Sequence, residues 1–262
     1  MVFKAKKILK MHLLKAATGT FKSDIQLEVP AGKLAIKISS ASGGNAETFD
    51  TCKISVQVST KSGTKTILPK MLLLHALEMS ALGEGYFVKN NTELSGCIDL
   101  SDFGALAPTD GYLSISYEGF PADAVTDIYA VDVPVNTNIG KVVEEFIIQG
   151  TKEISINNKT EIFIPVSDGV NGIEEITVTF PGKVCTYNEA ELSIINDGKN
   201  DLLCAQGRDI DVMAVTVDDG EGVLTLGFKR LLSLDISEAF SVKIKTLDDS
   251  KIKIYTTHNQ IF

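Results

Sequence analysis

The chain has 262 residues, 44% of them hydrophobic, which is enough for one large β-domain or two domains of about 120 residues each. Its formal net charge is −9, and it lacks the basic face with interleaved aromatic residues that marks nucleic-acid-binding proteins. No run approaches the roughly 20 apolar residues that span a bilayer. Lys10, His12 and Lys15 interrupt the apolar part of the N-terminus, so it does not read as a signal peptide.

The N-terminal residues carry charge of the opposite sign to the rest of the chain. Residues 1–23 contain six lysines and no acidic residue. We therefore predict a basic amphipathic arm over residues 1–18, which meets something anionic. A helix lying in a lipid headgroup layer, a segment docked on a partner subunit and a solvated, partly disordered terminus all fit this pattern.

Residues 69–82 are the segment with the clearest helical signals. Pro69 would occupy the first helical position, and Gly83 stands just past the last one. Leu, Ala, Met and Glu fill the interior, and these residues lose little rotamer freedom in a helix. Leu73 and Leu77 repeat at i, i+4, and further apolar residues surround the segment. We therefore predict one buried α-helix inserted into an all-β chain.

Most of the remaining chain has the alternating pattern of short β-strands separated by turns. Ile54–Val58 and Ile176–Phe180 are the clearest examples, and each is followed by a glycine-containing turn. Val142–Ile148 fits either a strand or a short connecting helix. Asn188–Ile195 is equally open between helix and strand.

The two halves of the chain look alike, as a duplicated β-domain would. A polar, turn-rich segment at 136–140 separates them, so we predict one domain over 19–138 and a second over 139–262. Three pairs of positions match at a nearly constant offset along the chain, namely Ile98 and Ile210, Gly111 and Gly222, and Ile128 and Phe240.

Each half would hold about seven or eight strands, a number that fits an immunoglobulin-like sandwich or a jelly roll. An immunoglobulin core commonly contains Trp, and this chain has none. An inserted helix also fits the long connections of a jelly roll. We therefore predict an all-β fold of two tandem jelly-roll β-sandwiches, with one inserted helix at about 69–82 and a short basic N-terminal arm.

No catalytic or metal-binding motif is recognisable. His75 and Glu78 are three residues apart in the predicted helix and could form an acid–base or metal pair, although a structural histidine is the commoner case. The acidic turns 218–222 and 248–249 offer carboxylates of the kind that hold Ca²⁺, but neither matches the EF-hand spacing. We predict that the chain is not an enzyme and that it has no cofactor.

The four cysteines form no CxxC pair. Cys52 and Cys97 adjoin apolar strand residues and are predicted to be small buried side chains. A reducing compartment without disulfides is therefore favoured.

In order and pattern, the chain resembles the double jelly-roll major capsid proteins of tailless, internal-membrane icosahedral bacteriophages, the corticovirus and flavobacterial lipid-phage type. The resemblance rests on the N-terminal segment, the first strand ending in Leu27–Gly32, and the unit from Ile54–Val58 to the predicted helix. It continues through a second half that repeats the sandwich and runs to the aromatic Tyr255 and Phe262.

The resemblance implies a virion protein that assembles in the host cytoplasm. It would form pseudo-hexameric homotrimers that tile a shell over an internal lipid membrane. The expected partners are the chain itself, neighbouring capsomers, other capsid proteins such as the penton and minor proteins, and the viral membrane, but not nucleic acid directly. The resemblance also implies that the arm contacts the membrane or lies at the inner face of the shell, through Lys4, Lys6, Lys7, Lys10 and Lys15.

A second interpretation is a binding module of two β-sandwiches, such as a phage spike, a penton or a surface adhesin. Such a protein would favour an export signal and exposed aromatic residues for stacking on sugars. An exposed aromatic platform would therefore favour this alternative.

Overall fold

A computed structural model describes the chain at 8–15, 20–26, 31–40, 49–60, 63–81, 88–89, 92–101, 112–121, 124–132, 139–165, 172–192, 194–195 and 231–262. At 8–15, 20–26, 81, 88, 130–132 and 249 it describes the backbone alone. The chain divides into two compact units. Among the described residues, the first unit runs to Val142 and also includes Asn259–Phe262, and the second lies between Val143 and His258.

The first unit contains two antiparallel sheets, ordered β1-β9-β3-β7-β6 and β2-β8-β4-β5. Their elements are β1 (Ile8–Lys15), β2 (Thr20–Gln26), β3 (Ala31–Ser40), β4 (Lys53–Thr60), β5 (Gly63–Leu72), α1 (Leu73–Ala81), β6 (Val88–Lys89), β7 (Glu93–Asp99), β8 (Tyr112–Glu118) and β9 (Ala124–Asp132).

The second unit contains two sheets of four strands, ordered β10-β17-β12-β15 and β11-β16-β13-β14. Their elements are β10 (Ile139–Ile148), β11 (Thr151–Ile154), β12 (Lys159–Pro165), β13 (Ile173–Phe180), β14 (Lys183–Tyr187), β15 (Leu231–Asp235), β16 (Ser241–Thr246) and β17 (Ile252–Ile261). The residues at 189–192 and 194–195 are helical, and Leu247–Asp249 forms a 3₁₀ turn.

Eight strands of the first unit recur in the second in the same order within each sheet. The sheet β1-β9-β3-β7 corresponds to β10-β17-β12-β15, and β2-β8-β4-β5 corresponds to β11-β16-β13-β14. Among the described strands, β6 is the one of the first unit without a counterpart in the second. The predicted fold of two tandem jelly-roll sandwiches is therefore confirmed.

The nearly constant offset between the halves is wrong for Ile128 and Phe240, because β9 corresponds to β17 and Phe240 precedes β16. The positions Gly111, Ile210 and Gly222 lie outside the described residues. Strand β2 begins at Thr20 and its counterpart β11 at Thr151, whereas β5 and its counterpart β14 begin closer together, at Gly63 and Lys183. The offset varies because the connections differ in length. The connection from β14 to β15, between Tyr187 and Leu231, is more than twice as long as the one from β5 to β7, between Leu72 and Glu93.

Alternation of apolar and polar residues produces both cores. On β4, the side chains of Ile54, Val56 and Val58 are buried and the residues between them are half-buried, as expected of strands that present one face to a core. In the second unit, β10–β13 and β15–β17 contribute to one hydrophobic cluster that contains Ile162 and Val178. Burial of such a face stabilises the folded state by about 25 cal/mol for each Å² of apolar surface removed from water.

The inserted helix is confirmed in type but starts later than predicted. Helix α1 begins at Leu73, because Pro69 belongs to strand β5. The pairing of β5 with β4 is irregular where Leu68 and Met71 face Val56 and Ile54. A proline has no N–H to donate, so an edge strand with an irregular register accommodates it.

The N-terminal arm and two ambiguous segments have defined secondary structure. The helical interpretation of the arm is wrong over Ile8–Lys15, which pairs antiparallel with β9. The segment Val142–Ile148 is a strand, within β10. Asn188 starts a helical segment through reciprocal 2.9 Å hydrogen bonds with Glu191, the pattern of a capping box. The predicted boundary at 138/139 stays a prediction.

Candidate assembly surfaces

The predicted arm lysines fall on both sides of the described boundary. Lys10 and Lys15 lie in β1 at register positions opposite Tyr129 and Val125 of β9. The remaining three, Lys4, Lys6 and Lys7, lie outside the described residues. Residues 8–15 of the arm thus form a strand of a sheet in the first unit. Its contacts with an anionic surface stay a prediction.

The sheet that receives β1 carries paired charges on β3 and β7. Lys33 lies 3.0 Å from Asp99, and Lys37 lies 2.8 Å from Glu93. The hydrogen bond and charge of Glu93 raise the pKa of Lys37. Burial would raise the pKa of Glu93, but hydrogen bonds from Lys37 and Ser95 outweigh burial and lower it. Exposed pairs of this kind contribute little to folding, since solvent screens them.

The two units differ at the equivalent edge strands, β5 and β14. Strand β5 contains Pro69, and Lys70 on it forms an ion pair with Glu118. Proline and lysine on an edge discourage another strand from pairing there. Strand β14 has five residues, pairs with β13, and exposes 62% of Val184. Strand β14 also carries a lysine, Lys183, and is shorter than β5, so the two edges differ in the proline of β5 and the exposed valine of β14.

Exposed apolar side chains are scattered over the described surface. Phe240, immediately before β16, is 68% exposed, and its N–H donates to the carbonyl of Thr179, which is the register partner of Val184. Among described aromatic residues, Tyr112 in the first unit is the other exposed one. Neither unit thus shows, in its described part, the row of exposed rings that the binding-module alternative favours.

Polar side chains of the first unit are buried without forming an accessible reactive site. His75 is 8% exposed on α1 and Glu78 is fully buried, so both are part of the helix packing. Lys89 lies 2.6 Å from Asp50. Burial first, and the charge of Asp50 second, raise the pKa of the Cys52 thiol to about 12, so it is not a thiolate nucleophile.

The described cysteines, Cys52, Cys97 and Cys185, are free thiols. Cys52 is buried as predicted. Cys97 is exposed, contrary to the prediction, because it is the register partner of Ala35 on the outer face of β3, while its neighbours Ile98 and Leu34 point inward.

The second unit contains a charged cluster formed by Glu144, Lys159 and His258. Lys159 is 7% exposed, forms an ion pair with Glu144, and places its Nζ 4.9 Å from the centre of the Phe146 ring. His258 Nδ1 lies 4.0 Å from Glu144 Oε1. No local sequence pattern signals this cluster, because its members come from three strands and His258 lies far along the chain from the other two.

A metal or membrane-spanning site is not apparent in the described part of the chain. There, no group of three or more His, Cys, Asp or Glu side chains has the arrangement of a metal site. Of the acidic turns, the one at 218–222 lies outside the described residues, and Asp248 occupies the 3₁₀ turn at a φ of +47°. No helix among the described residues is long and apolar enough to cross a bilayer.

Comparison with known proteins finds similarity in structure alone. No protein-family model matches the sequence, and no curated protein matches it. The major capsid protein P2 from bacteriophage PM2 matches with a TM-score of 0.55 at 13% identity, covering 98% of this chain and 98% of that one. The STIV MCP matches with a TM-score of 0.52 at 11% identity, covering 98% of this chain and 96% of that one.

A third match is the atomic structure of Sulfolobus Turreted Icosahedral Virus, with a TM-score of 0.51 at 8% identity, covering 98% of this chain and 91% of that one. The first of these is described as a major capsid protein, which agrees with the prediction that the chain is not an enzyme. At such identities the likeness establishes the fold. The chain has the double jelly-roll fold of viral major capsid proteins, and the predicted resemblance is confirmed at that level.

Proposed function

We propose that this chain is a major capsid protein that forms pseudo-hexameric homotrimers, which tile an icosahedral shell over an internal lipid membrane. It would then reside in the virion after assembly in the host cytoplasm. Its partners would be further copies of itself and other capsid proteins. The role is structural, so no side chain is assigned to catalysis.

The observation that supports this proposal is the repetition of one strand order in two sandwiches of a single chain. Three such chains carry six sandwiches, so a three-fold ring approximates six-fold symmetry, and six-fold units fill a lattice without gaps. Symmetric homo-oligomers form through closed, repeated interfaces of this kind. The full-length match to two viral capsid proteins supports the same role.

The proposed membrane contact depends on the basic arm. Each lysine near an anionic surface contributes about 1 kcal/mol, so the five lysines of one arm bind weakly and reversibly. Many copies on one shell make the contact multivalent, which raises the overall avidity without any new interaction.

The mass of the native particle tests the assembly. Light scattering after size exclusion should give three times the 28.2 kDa mass of the single chain if the protein is a trimer. Negative-stain images should show particles with a hexagonal outline, or shells. A monomer at every concentration would contradict the capsid function.

Vesicle flotation tests the arm separately. Replacing Lys4, Lys6, Lys7 and Lys10 with Gln should abolish flotation with phosphatidylglycerol vesicles. A matched control removes four exposed lysines elsewhere, Lys152, Lys183, Lys243 and Lys251. The control should float like the wild type, and equal losses in both variants would show that the charge of the arm has no special role.

A further inference from the structure

The cluster of Glu144, Lys159 and His258 lies at the core face of the second unit because of a β-bulge. Lys159 pairs with His258, but Glu161, two residues later, pairs with Thr257, which is next to His258. Thr160 is therefore an extra residue on β12, and it turns Lys159 to the opposite face from Glu161. Bulges commonly re-aim a side chain in this way.

Lys159 lies on the side of the sheet that faces the hydrophobic core of the second unit. Ile162 belongs to the core cluster and pairs with Thr256, two residues before His258. Residues two apart on a strand share a face, so His258 and Lys159 lie on the core side. Phe146, which packs against the same core cluster, lies under the Lys159 ammonium.

Two basic side chains share one carboxylate at this place. Glu144 is ion-paired with Lys159, while its other oxygen is 4.0 Å from His258 Nδ1, beyond hydrogen-bond distance. His258 Nδ1 is itself buried and has no hydrogen-bond partner in the described structure. The neighbouring ion pair of Glu145 and Lys253 has a 2.9 Å separation of its own.

We propose that Glu144, Lys159 and His258 form an acid-sensitive latch, in which protonation of His258 sets two cations against one carboxylate and loosens the end of the second sandwich. A buried cation that loses its partner is costly, because the low-dielectric core does not solvate it. The opening concerns strands β10, β12 and β17, which are neighbours in one sheet. It is a property of the chain itself and is independent of the proposed capsid function.

The direction of the pH dependence follows from the environment of His258. Burial lowers its pKa below the ordinary 6.5, Glu144 raises it, Lys159 lowers it, and the net change is a decrease. The unfolded chain therefore binds a proton at His258 at a higher pH than the folded chain does. The contribution of neutral His258 to the free energy of unfolding is fully present above its unfolded-state pKa of 6.5. It is lost as the pH decreases from there towards the folded-state pKa.

Hydrogen exchange of the full chain at pH 7.5 and 5.5, corrected for intrinsic rates, tests the latch. Protection of β12 and β17 should fall in the wild type by up to about tenfold, because a histidine with a pKa of 6.5 in the unfolded chain provides no larger factor over this pH range. His258→Gln keeps a polar side chain that does not titrate, and it should lose this response. His75→Gln, in the first unit, is the matched control and should retain it.

Either of two results would overturn the latch: unchanged protection in the wild type, or a wild-type response in His258→Gln. If His258→Gln does not fold, NMR titration of the wild type with labelled histidine decides instead. The chain has three histidines, so the signal of His258 is assigned with variants of His12 and His75. Titration of His258 at or above pH 6.5 would contradict the proposal.

Discussion

Gly119 follows strand β8 in a conformation that alanine should not tolerate. Its φ is +75°, and a β-carbon there would stand 2.5 Å from the backbone oxygen of Thr51. The left-handed conformation costs a non-glycine residue about 1–2 kcal/mol. Relief of the clash requires movement of backbone, which adds about 1–3 kcal/mol. Gly119→Ala should therefore lower the free energy of unfolding of the first unit by about 2–5 kcal/mol.

Alkylation of Cys52 measures this change locally. Cys52 is fully buried, and its Sγ lies 3.6 Å from the Gly119 carbonyl oxygen, so the thiol reacts when this region opens. A loss of about 2 kcal/mol should accelerate its labelling by about 30-fold, since each 1.4 kcal/mol or so is a factor of about ten. The modified peptide can be quantified by mass spectrometry.

Gly182→Ala is the matched control, because Gly182 has a φ of +73° but no atom within 4 Å of an added β-carbon. It carries the same conformational cost without the clash, and it lies in the hairpin turn of the second unit. Labelling of Cys52 should stay near the wild-type rate in this variant. Equal labelling of Cys52 in the two variants would refute both costs assigned to Gly119, the left-handed conformation and the clash with Thr51.

Two further predictions concern side-chain packing. Thr256→Val should raise the melting temperature, with about 1 kcal/mol of stabilisation, because the buried Thr256 hydroxyl has no hydrogen-bond partner in the described structure. Thr257→Val should lower it, since the Thr257 and Thr160 hydroxyls are 2.9 Å apart; the opposite order would refute this assignment. Gly140→Ala should lower the free energy of unfolding by about 1–3 kcal/mol, because its β-carbon would overlap the Phe262 ring. Phe262→Leu should suppress that loss in a double-mutant cycle, and additive effects would contradict it.

The two-sandwich fold could be predicted from sequence because period-two alternation is strong in strands such as Ile54–Val58. Which strand of one half corresponds to which strand of the other could not be predicted, since alternating strands resemble one another at many offsets. Only the pairing of strands shows that β9 corresponds to β17 and not to the segment near Phe240. The start of the helix was ambiguous because Pro69 fits both a first helical position and an irregular edge strand.

The charged residues were harder to predict than the fold. Lysines of the arm could be recognised because they are clustered along the chain, although Ile8–Lys15 proved to be a strand. Glu144, Lys159 and His258 are brought together by a bulge and by strand pairing between distant segments. Neither the bulge nor the strand pairing produces a local sequence pattern. Only the folded structure therefore reveals that these three side chains meet.

The unequal connections of the two units bear on the chain entropy of folding. The hairpins β4–β5 and β13–β14 have equally short loops, at 61–62 and 181–182, whereas the connection from β5 to β7 is less than half as long as that from β14 to β15. One jelly-roll topology thus accepts very different lengths at this connection. Loop-closure entropy grows slowly with length, so the longer connection between β14 and β15 costs the second unit little through chain entropy alone.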